Sequence, residues 1–336
     1  MCGIAATICR ENSGVATSNT SQILKLQLHR GPDGQGIWNS GNGRISIGHN
    51  RLAIIETSPI GAQPWMEHDP QIILSWNGEI YNYLELRDEL VKEGIVFQSK
   101  TDTEVISKGY LIWGETLFSK LKGMFAIIIF DQKKDVLLFS RDRLGIKPLY
   151  YARKFDFISF GSEVKSLRKL SHEFSTINSD MENLFLSNGS VIYKDNTFYK
   201  NIFAVEPGYY GIVDCKTLKM EFCKYWDLEL ENSKYIKLDT HDLRASFADV
   251  VAMHMRSGVP ICTTLSGGLD STIITATVST DTIQKIDTFS VVWPDQPELN
   301  EAIWVEEVVK YFNLNNIQVT LEIGEFQQLV DAVLNI

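Results

Sequence analysis

A cysteine stands second in the chain, directly after the initiator methionine. Methionine before so small a residue is a normal target for removal, and removal leaves a thiol and a free α-amine on one residue. An α-amine titrates near pH ~7.7–8.0 in the reference state, so it can take the thiol proton directly or through water. Nucleophile and base are then both supplied by Cys2. Four further segments hold groups suited to the same chemistry. RGPDG (30–34) sets Arg30 and Asp33 in a glycine–proline turn. In NRLAII (50–55), Arg51 lies inside an otherwise apolar strand; a buried guanidinium needs an acidic partner or an anionic ligand, and its fork fits a carboxylate. WNGEIYN (76–82) puts Asn77 and Gly78 at an expected strand-to-loop transition, where an amide side chain and a glycine N–H can both face a developing oxyanion. KTDTE (100–104) places Asp102 just before an expected helix, as its N-cap or as counter-ion to an ammonium group.

A second motif, TLSGGLDST (264–272), follows an expected buried strand and opens an expected helix. Ser266, Gly267 and Gly268 leave backbone N–H groups uncovered, and the helix amino terminus adds partial positive charge, so the turn can seat a pyrophosphate. Asp270 is placed to hold a magnesium ion that bridges phosphate oxygens. The Gly-Lys-Ser/Thr ending of a Walker A loop is absent.

Together the first set supplies what is needed to hold glutamine by both backbone ends and open its side-chain amide. MCGI, HRGPDG, RLAII, NGEIYN and TDTE, in this order, resemble the class II glutamine amidotransferase domain of glutamine-dependent asparagine synthetases. The likeness continues through GMFAIIIFD, LLFSRDRLGIKPLYY and SEVKSL, across nearly all of residues 1–210. The resemblance implies an α+β amino-terminal-nucleophile αββα sandwich with Cys2 as nucleophile and Asn77 and Gly78 as oxyanion hole. Arg51 and Asp102 would hold the glutamine carboxylate and ammonium, and the main chain of Leu52, Ile54 and Ile55 with Glu79 would complete the pocket. Asn50 departs from the family, where Glu or a similar residue is common; no loss of chemistry is expected. SGGLDS resembles the pyrophosphate loop of adenylating ATPases, which split ATP between the α- and β-phosphates. By that likeness Leu265, Ser266, Gly267, Gly268, Asp270, Ser271 and Val291 would surround ATP, Leu265 and Val291 flanking adenine and ribose, with Mg2+ at Asp270.

Elements able to position these groups are legible as patterns. Up to about residue 215, short apolar runs alternate with turns: IAATI (4–8), RISIGHNRLAII (44–55), QIILSWNGEIY (71–81), GMFAIIIFD (123–131), DVLLFSRD (135–142) and FISFGS (157–162). They read as strands, with QKK as a hairpin turn. Helical spacing is expected over 83–94 and 103–121. From 241 onward helix and strand alternate: helices at 241–258, 269–280 and 300–313, strands at 259–266, 285–293 and 316–323. That alternation predicts an α/β doubly wound parallel sheet, of the kind found in adenine nucleotide α-hydrolases. The expected domains are 1–215 (glutaminase), a linker at 216–238, and 239–336 (amino-terminal part of the ATP-binding domain). The family's downstream loop, LSGxGxDE, has no match in 273–336, so this half is expected to be incomplete and full synthetase turnover is not expected of it.

Bulk properties set outer bounds. At 336 residues, with 44% hydrophobic and 22% charged residues, the chain can bury two cores and is of ordinary globular composition. A net charge of -10 argues against nucleic acid or an anionic membrane as main partner. Without a basic leader or a long apolar run, a cytoplasmic location is expected. Cys9, Cys215, Cys223 and Cys262 show no CxxC spacing and are expected as buried apolar fillers, His29 as structural, and YWDLEL (225–230) as packing between domains. Glutamine, aspartate and ATP are the expected small-molecule partners, with a homodimer as the protein partner considered. The leading reading is a glutamine-hydrolysing asparagine synthase. Its rivals are the same machinery on another carboxylate, from natural-product or surface-polysaccharide pathways, and a non-catalytic assembly or regulatory protein retaining the fold.

Overall fold

The structure is a computed structural model. It describes residues 1–68, 71–189, 191, 194–228, 239–281, 286–294, 296, 298, 300–320 and 323–335. Two compact units divide the chain, Met1–Glu231 and Asn232–Ile336.

Apolar runs without polar alternation imply strands covered on both faces, and the first unit is built that way. One antiparallel sheet contains β1 (Gly3–Cys9), β2 (Gly34–Asn39), β3 (Ile45–Arg51), β8 (Tyr150–Arg153), β9 (Phe157–Gly161) and β10 (Ile202–Ala204), in the order β10-β8-β9-β1-β3-β2. The other contains β4 (Trp65–His68), β5 (Gln71–Ile80), β6 (Gly123–Asp131), β7 (Val136–Arg141), β11 (Tyr209–Asp214) and β12 (Met220–Lys224), in the order β12-β11-β7-β6-β5-β4. Period-two geometry sorts each run between two cores. Ile4, Ala6 and Ile8 of β1 meet Ala126, Ile128 and Phe130 of β6 in the core between the sheets. Ala5 and Cys9 face α1 (Val15–Leu26) and α5 (Val164–Arg168) on one outer side. Phe125, Ile127 and Ile129 face α2 (Tyr83–Lys92), α3 (Asp102–Trp113) and α4 (Leu117–Lys120) on the other. The four layers are helix, sheet, sheet, helix, with α6 (Ser179–Asn188) following α5. Each large aliphatic or aromatic side chain so enclosed contributes about 1.5–3 kcal/mol.

The second unit holds α7 (Thr240–His254), β13 (Cys262–Thr264), α8 (Leu269–Asp281), β14 (Asp287–Val292), α9 (Ala302–Phe312), β15 (Asn315–Thr320) and α10 (Phe326–Asn335). Among the described residues its three strands pair in parallel in the order β13-β14-β15.

Several expectations need correction. The strand expected over 44–55 ends at Arg51, and residues 52–58 leave the sheet. Asn77-Gly78-Glu79 lie within β5, paired with Ala126, Phe125 and Met124, rather than at a transition to loop. The helix expected over 103–121 breaks at Gly114, whose φ of 57° no helix interior adopts. The expected linker begins too early: Met220–Lys224 pairs with β11, and Tyr225 stacks near Phe118 and Phe125 in the first unit's own core. Residues 229–238 of that linker, and with them the end of YWDLEL, lie outside the described residues. Cys9 and Cys215 are buried as expected, but Cys223 and Cys262 are exposed, since edge strand β12 and short strand β13 leave their outward positions uncovered.

Candidate active site

Because β3 stops at Arg51, the chain that follows is free to fold over the start of β1. The Leu52 N–H donates to Cys2 Sγ at 3.3 Å, and Leu52 O lies 3.5 Å from the same sulfur. Arg51 turns back over this loop, donating to the carbonyls of Glu56 and Ser58 (2.9 Å to Ser58), so of the two partners expected for its guanidinium no acidic side chain is found among the described residues and main-chain oxygens hold it. Asp33 accepts the Ala53 N–H at 2.8 Å and fixes the same loop from the turn at 30–34. Buried Arg30 donates to Cys2 O at 3.0 Å and to Glu163 at 3.1 Å; His29 meets that carboxylate at 2.8 Å, the structural part expected of it. Asn50 points the other way, bonding Leu24 O and Gln35, so its departure from the family pattern does not reach the cleft.

The opposite wall is β5. Tyr81 N donates to Lys122 O, so residues 77, 79 and 81 exchange the β5–β6 ladder bonds and the Gly78 N–H points away from β6. On that side Trp76 N already meets the Gln63 side chain at 2.8 Å. Gly78 has a φ of 156°, and a Cβ there would lie 2.0 Å from Met124 O, so the strand requires glycine. Asn77 is buried, and its Nδ2 has no partner among the described residues. His49 bonds Trp76 O at 3.1 Å, and burial pushes its pKa down to about 3, so it stays neutral behind this wall.

The capped start of α3 forms the third wall. Thr101, not Asp102, is the N-cap of α3: its hydroxyl accepts the Glu104 N–H at 3.1 Å while Glu104 reaches back to the N–H groups of Gln98 and Ser99. Asp102 is thereby set in the first turn, 5% exposed, with Oδ2 unpartnered among the described residues. Burial pushes its pKa up to about 7, against the hydrogen bonds of Ile80, Thr103 and its own N–H.

Cys2, Arg51, Leu52, Ile54, Ile55, Asn77, Gly78, Glu79 and Asp102 all line one cleft of about 120 Å³. Such an enclosure can present a thiol to a carbonyl while an unsatisfied amide N–H faces the oxygen, with acid and guanidinium on either side. Met1 retains the α-amine in this structure; burial holds it below its ordinary value and also pushes the Cys2 thiol up, with the Leu52 N–H pulling the thiol back. Sequence reading missed Gln63, Trp76, Thr103 and Lys147 in the lining. Trp76, Thr103 and Lys147 lie inside the motifs WNGEIYN, KTDTE and LLFSRDRLGIKPLYY, and nothing in one sequence separates them from packing residues.

In the second unit the loop after β13 is tied by its own hydroxyls. Ser266 N meets Ser271 Oγ at 3.2 Å, the two hydroxyls lie 3.1 Å apart, and Gly268 N approaches Ser266 Oγ at 3.4 Å. Gly267 has a φ of 86° and packs against Trp304. Leu265, Ser266 and Val291 line a cavity of about 300 Å³ with Phe289, Ser290 and Trp293; Gly267, Gly268, Asp270 and Ser271 are outside that lining, at the start of α8. Asp270 is exposed and joins no cluster of metal-binding side chains among the described residues. Among the described residues no helix is long and apolar enough to cross a membrane.

Family models place these observations. Residues 1–226 match the glutamine amidotransferase domain and residues 242–336 match asparagine synthase. The chain is 35% identical, over 98% of its length and 67% of the relative's, to a putative glutamine-hydrolysing asparagine synthetase of Methanocaldococcus jannaschii. It is 32% identical, over 97% of its length, to glutamine-hydrolysing asparagine synthetase 1 of Bacillus subtilis, of which it spans about half (51%). A solved glutamine phosphoribosylpyrophosphate amidotransferase from B. subtilis aligns with a TM-score of 0.51 at 17% identity, covering 94% of this chain and 65% of that one; at that identity the likeness is one of fold. A glutamine amidotransferase domain joined to asparagine synthase sequence, on the sandwich and parallel sheet described, makes this chain a member of the glutamine-dependent asparagine synthetase family.

Proposed function

We propose that the first unit hydrolyses glutamine and supplies ammonia for an ATP-dependent amidation of aspartate. After removal of Met1, the Cys2 α-amine takes the thiol proton and the sulfur attacks the glutamine Cδ. Asn77 Nδ2 and Gly78 N–H receive the oxyanion, the C–N bond breaks, and the amine proton leaves with ammonia. Water then opens the thioester, giving glutamate and the free thiol. Arg51 binds the glutamine carboxylate, Asp102 and Glu79 the ammonium end, and the main chain of Leu52, Ile54 and Ile55 closes the pocket. The reading rests on one observation above all: nine residues drawn from the chain's start, β3, the loop after it, β5 and α3 line a single cleft around the sulfur.

In the second half, the β-carboxylate of aspartate attacks the α-phosphorus of ATP and releases pyrophosphate; ammonia then displaces AMP to give asparagine. Direct delivery suits ammonia, which is mostly protonated and non-nucleophilic in neutral water. Leu265 and Val291 would flank the nucleoside, and Ser266, Gly267, Gly268 and Ser271 the phosphates. One carboxylate, Asp270, with phosphate and water oxygens fits what Mg2+ ordinarily accepts, and bound there the ion would offset phosphate charge. We place this work in the cytoplasm. Glutamate release by the wild-type chain and by Cys2→Ala tests the first half: equal rates in the two would overturn it. Pyrophosphate release that depends on aspartate, measured on the longest natural form of the protein, tests the second; release without aspartate, or with another carboxylate only, would overturn the acceptor.

A further inference from the structure

We infer that Lys147 is a positioning residue for the nucleophile: its ammonium places a fixed positive charge beside the sulfur and α-amine at the chain's start. The inference rests on the reading of Cys2 as nucleophile. Its basis is the way RDRLGIKP (141–148) is folded. Asp142 is fully buried, and its carboxylate accepts four backbone N–H groups: Phe125 at 3.2 Å, Leu144 at 3.1 Å, Ile146 at 2.9 Å and Lys147 at 2.9 Å. Arg141 grips the same loop from its oxygens, donating to Lys147 O at 3.0 Å and Gly145 O at 2.7 Å. Gly145 turns the chain at a φ of 68°, and Pro148 restricts Lys147 to extended backbone. Both peptide groups of Lys147 are thus fixed, and the residue is 8% exposed in the lining it shares with Met1, Cys2 and Glu79.

Burying an ammonium without an ion pair is costly, and its pKa is lowered by that burial, with Glu79 and Cys2 acting the other way. Among the described residues no salt bridge engages Lys147, whereas the other cations near Cys2 already have partners in the fold, and Arg51 is in addition the group assigned to the glutamine carboxylate. Arg30 is held by Cys2 O and Glu163, and Arg51 by the carbonyls of Glu56 and Ser58. The remaining charged groups facing the site are the terminal amine, Asp33, Glu56, Glu79, Asp102 and Asp142. A cation at Lys147 acts on both halves of the nucleophile in the useful sense. It favours thiolate over thiol and neutral amine over ammonium, so attacking group and proton acceptor are both populated at lower pH.

The test is the pH dependence of Cys2 alkylation by iodoacetamide, read by mass spectrometry of the amino-terminal peptide, beside glutamate release, in wild type, Lys147→Met, Lys147→Gln and Lys147→Arg. We expect alkylation of the Met and Gln variants near pH 7 to slow about tenfold and the acid limb of kcat/KM to move up about one pH unit, with Arg restoring both. Two neutral variants guard against one that fails to fold. Alkylation and rate profiles that overlay the wild type would overturn the inference, as would an equal shift in Lys147→Arg. Absence of glutamate release in the wild type would instead sink the reading of Cys2 while leaving the alkylation result to judge Lys147.

Discussion

Asp102 offers the sharpest energetic test, because the fold bears a cost there that the proposed substrate would relieve. Its carboxyl is pushed up to about 7 from an ordinary 3.8 by burial. Three pKa units correspond to about 4 kcal/mol. The sign follows from a folded value above the unfolded one: the full stability is present below pH 3.8, falls as the unfolded carboxyl ionises first, and levels off above about 7. Asp102→Asn keeps the shape and removes the charge. It should stabilise the first unit by about 4 kcal/mol near pH 8, by about 3 kcal/mol near pH 6, and by little at pH 4. The same variant should lose glutamine affinity, since an amide cannot pair with the substrate ammonium, and the wild-type KM should fall as pH rises through about 7. Urea titrations across this pH range, followed by the near-ultraviolet signal, measure the first effect and steady-state kinetics the second. Parallel stability curves for the two proteins between pH 4 and 8 would refute the reasoning, whatever the kinetics show.

Other expectations follow from the same cleft and from the nucleotide loop. Asn77→Ala removes a buried donor that has no partner among the described residues, so kcat for glutamate release should fall about 10²–10³-fold while stability changes by less than about 1 kcal/mol; a rate within threefold of wild type would remove Asn77 from the oxyanion site. Gly78→Ala forces a Cβ to within 2.0 Å of Met124 O and 2.7 Å of Phe125 Cα, both backbone atoms of β6, and should cost about 3 kcal/mol in denaturant unfolding as well as activity. Gly267→Ala sets a side chain at a φ of 86° and 2.9 Å from Trp304 Cβ; ATP affinity, measured by calorimetry, should weaken about tenfold with the first unit's glutaminase unchanged.

The strands were legible in short apolar, β-branched runs such as FAIIIFD and IAATI, while the sandwich came from the resemblance alone; the structure buries these runs on both faces, between two cores. The cleft residues were legible as chemistry but not as geometry. Arg51 looked like a strand interior because LAII continues the apolar run, yet the guanidinium hydrogen bonds to Glu56 and Ser58 draw the chain out of the sheet. Asp102 looked like a cap because Thr101, one residue earlier, offers the same side-chain oxygen. Helix α1 escaped notice because VATSNTSQILKL is rich in Ser and Thr and shows a stripe only at Ala16, Ile23 and Leu24. Lys147 was invisible as a site residue, since its burial depends on Arg141 and Asp142 folding the loop beneath it. In each case the missing information lies in side-chain hydrogen bonds to the nearby main chain and in burial by the folded unit, which hydrophobic periodicity does not encode.

The claim on which the account depends is that Cys2, freed of Met1, reacts covalently with the glutamine side chain. The direct measurement is intact-mass and peptide analysis of the active protein after exposure to a chloroketone analogue of glutamine. The account predicts an amino-terminal peptide that begins at Cys2, bears one adduct on its sulfur, and is protected by glutamine as activity is lost in step. Activity lost with the adduct on another residue, or full activity in protein that retains Met1, would contradict it.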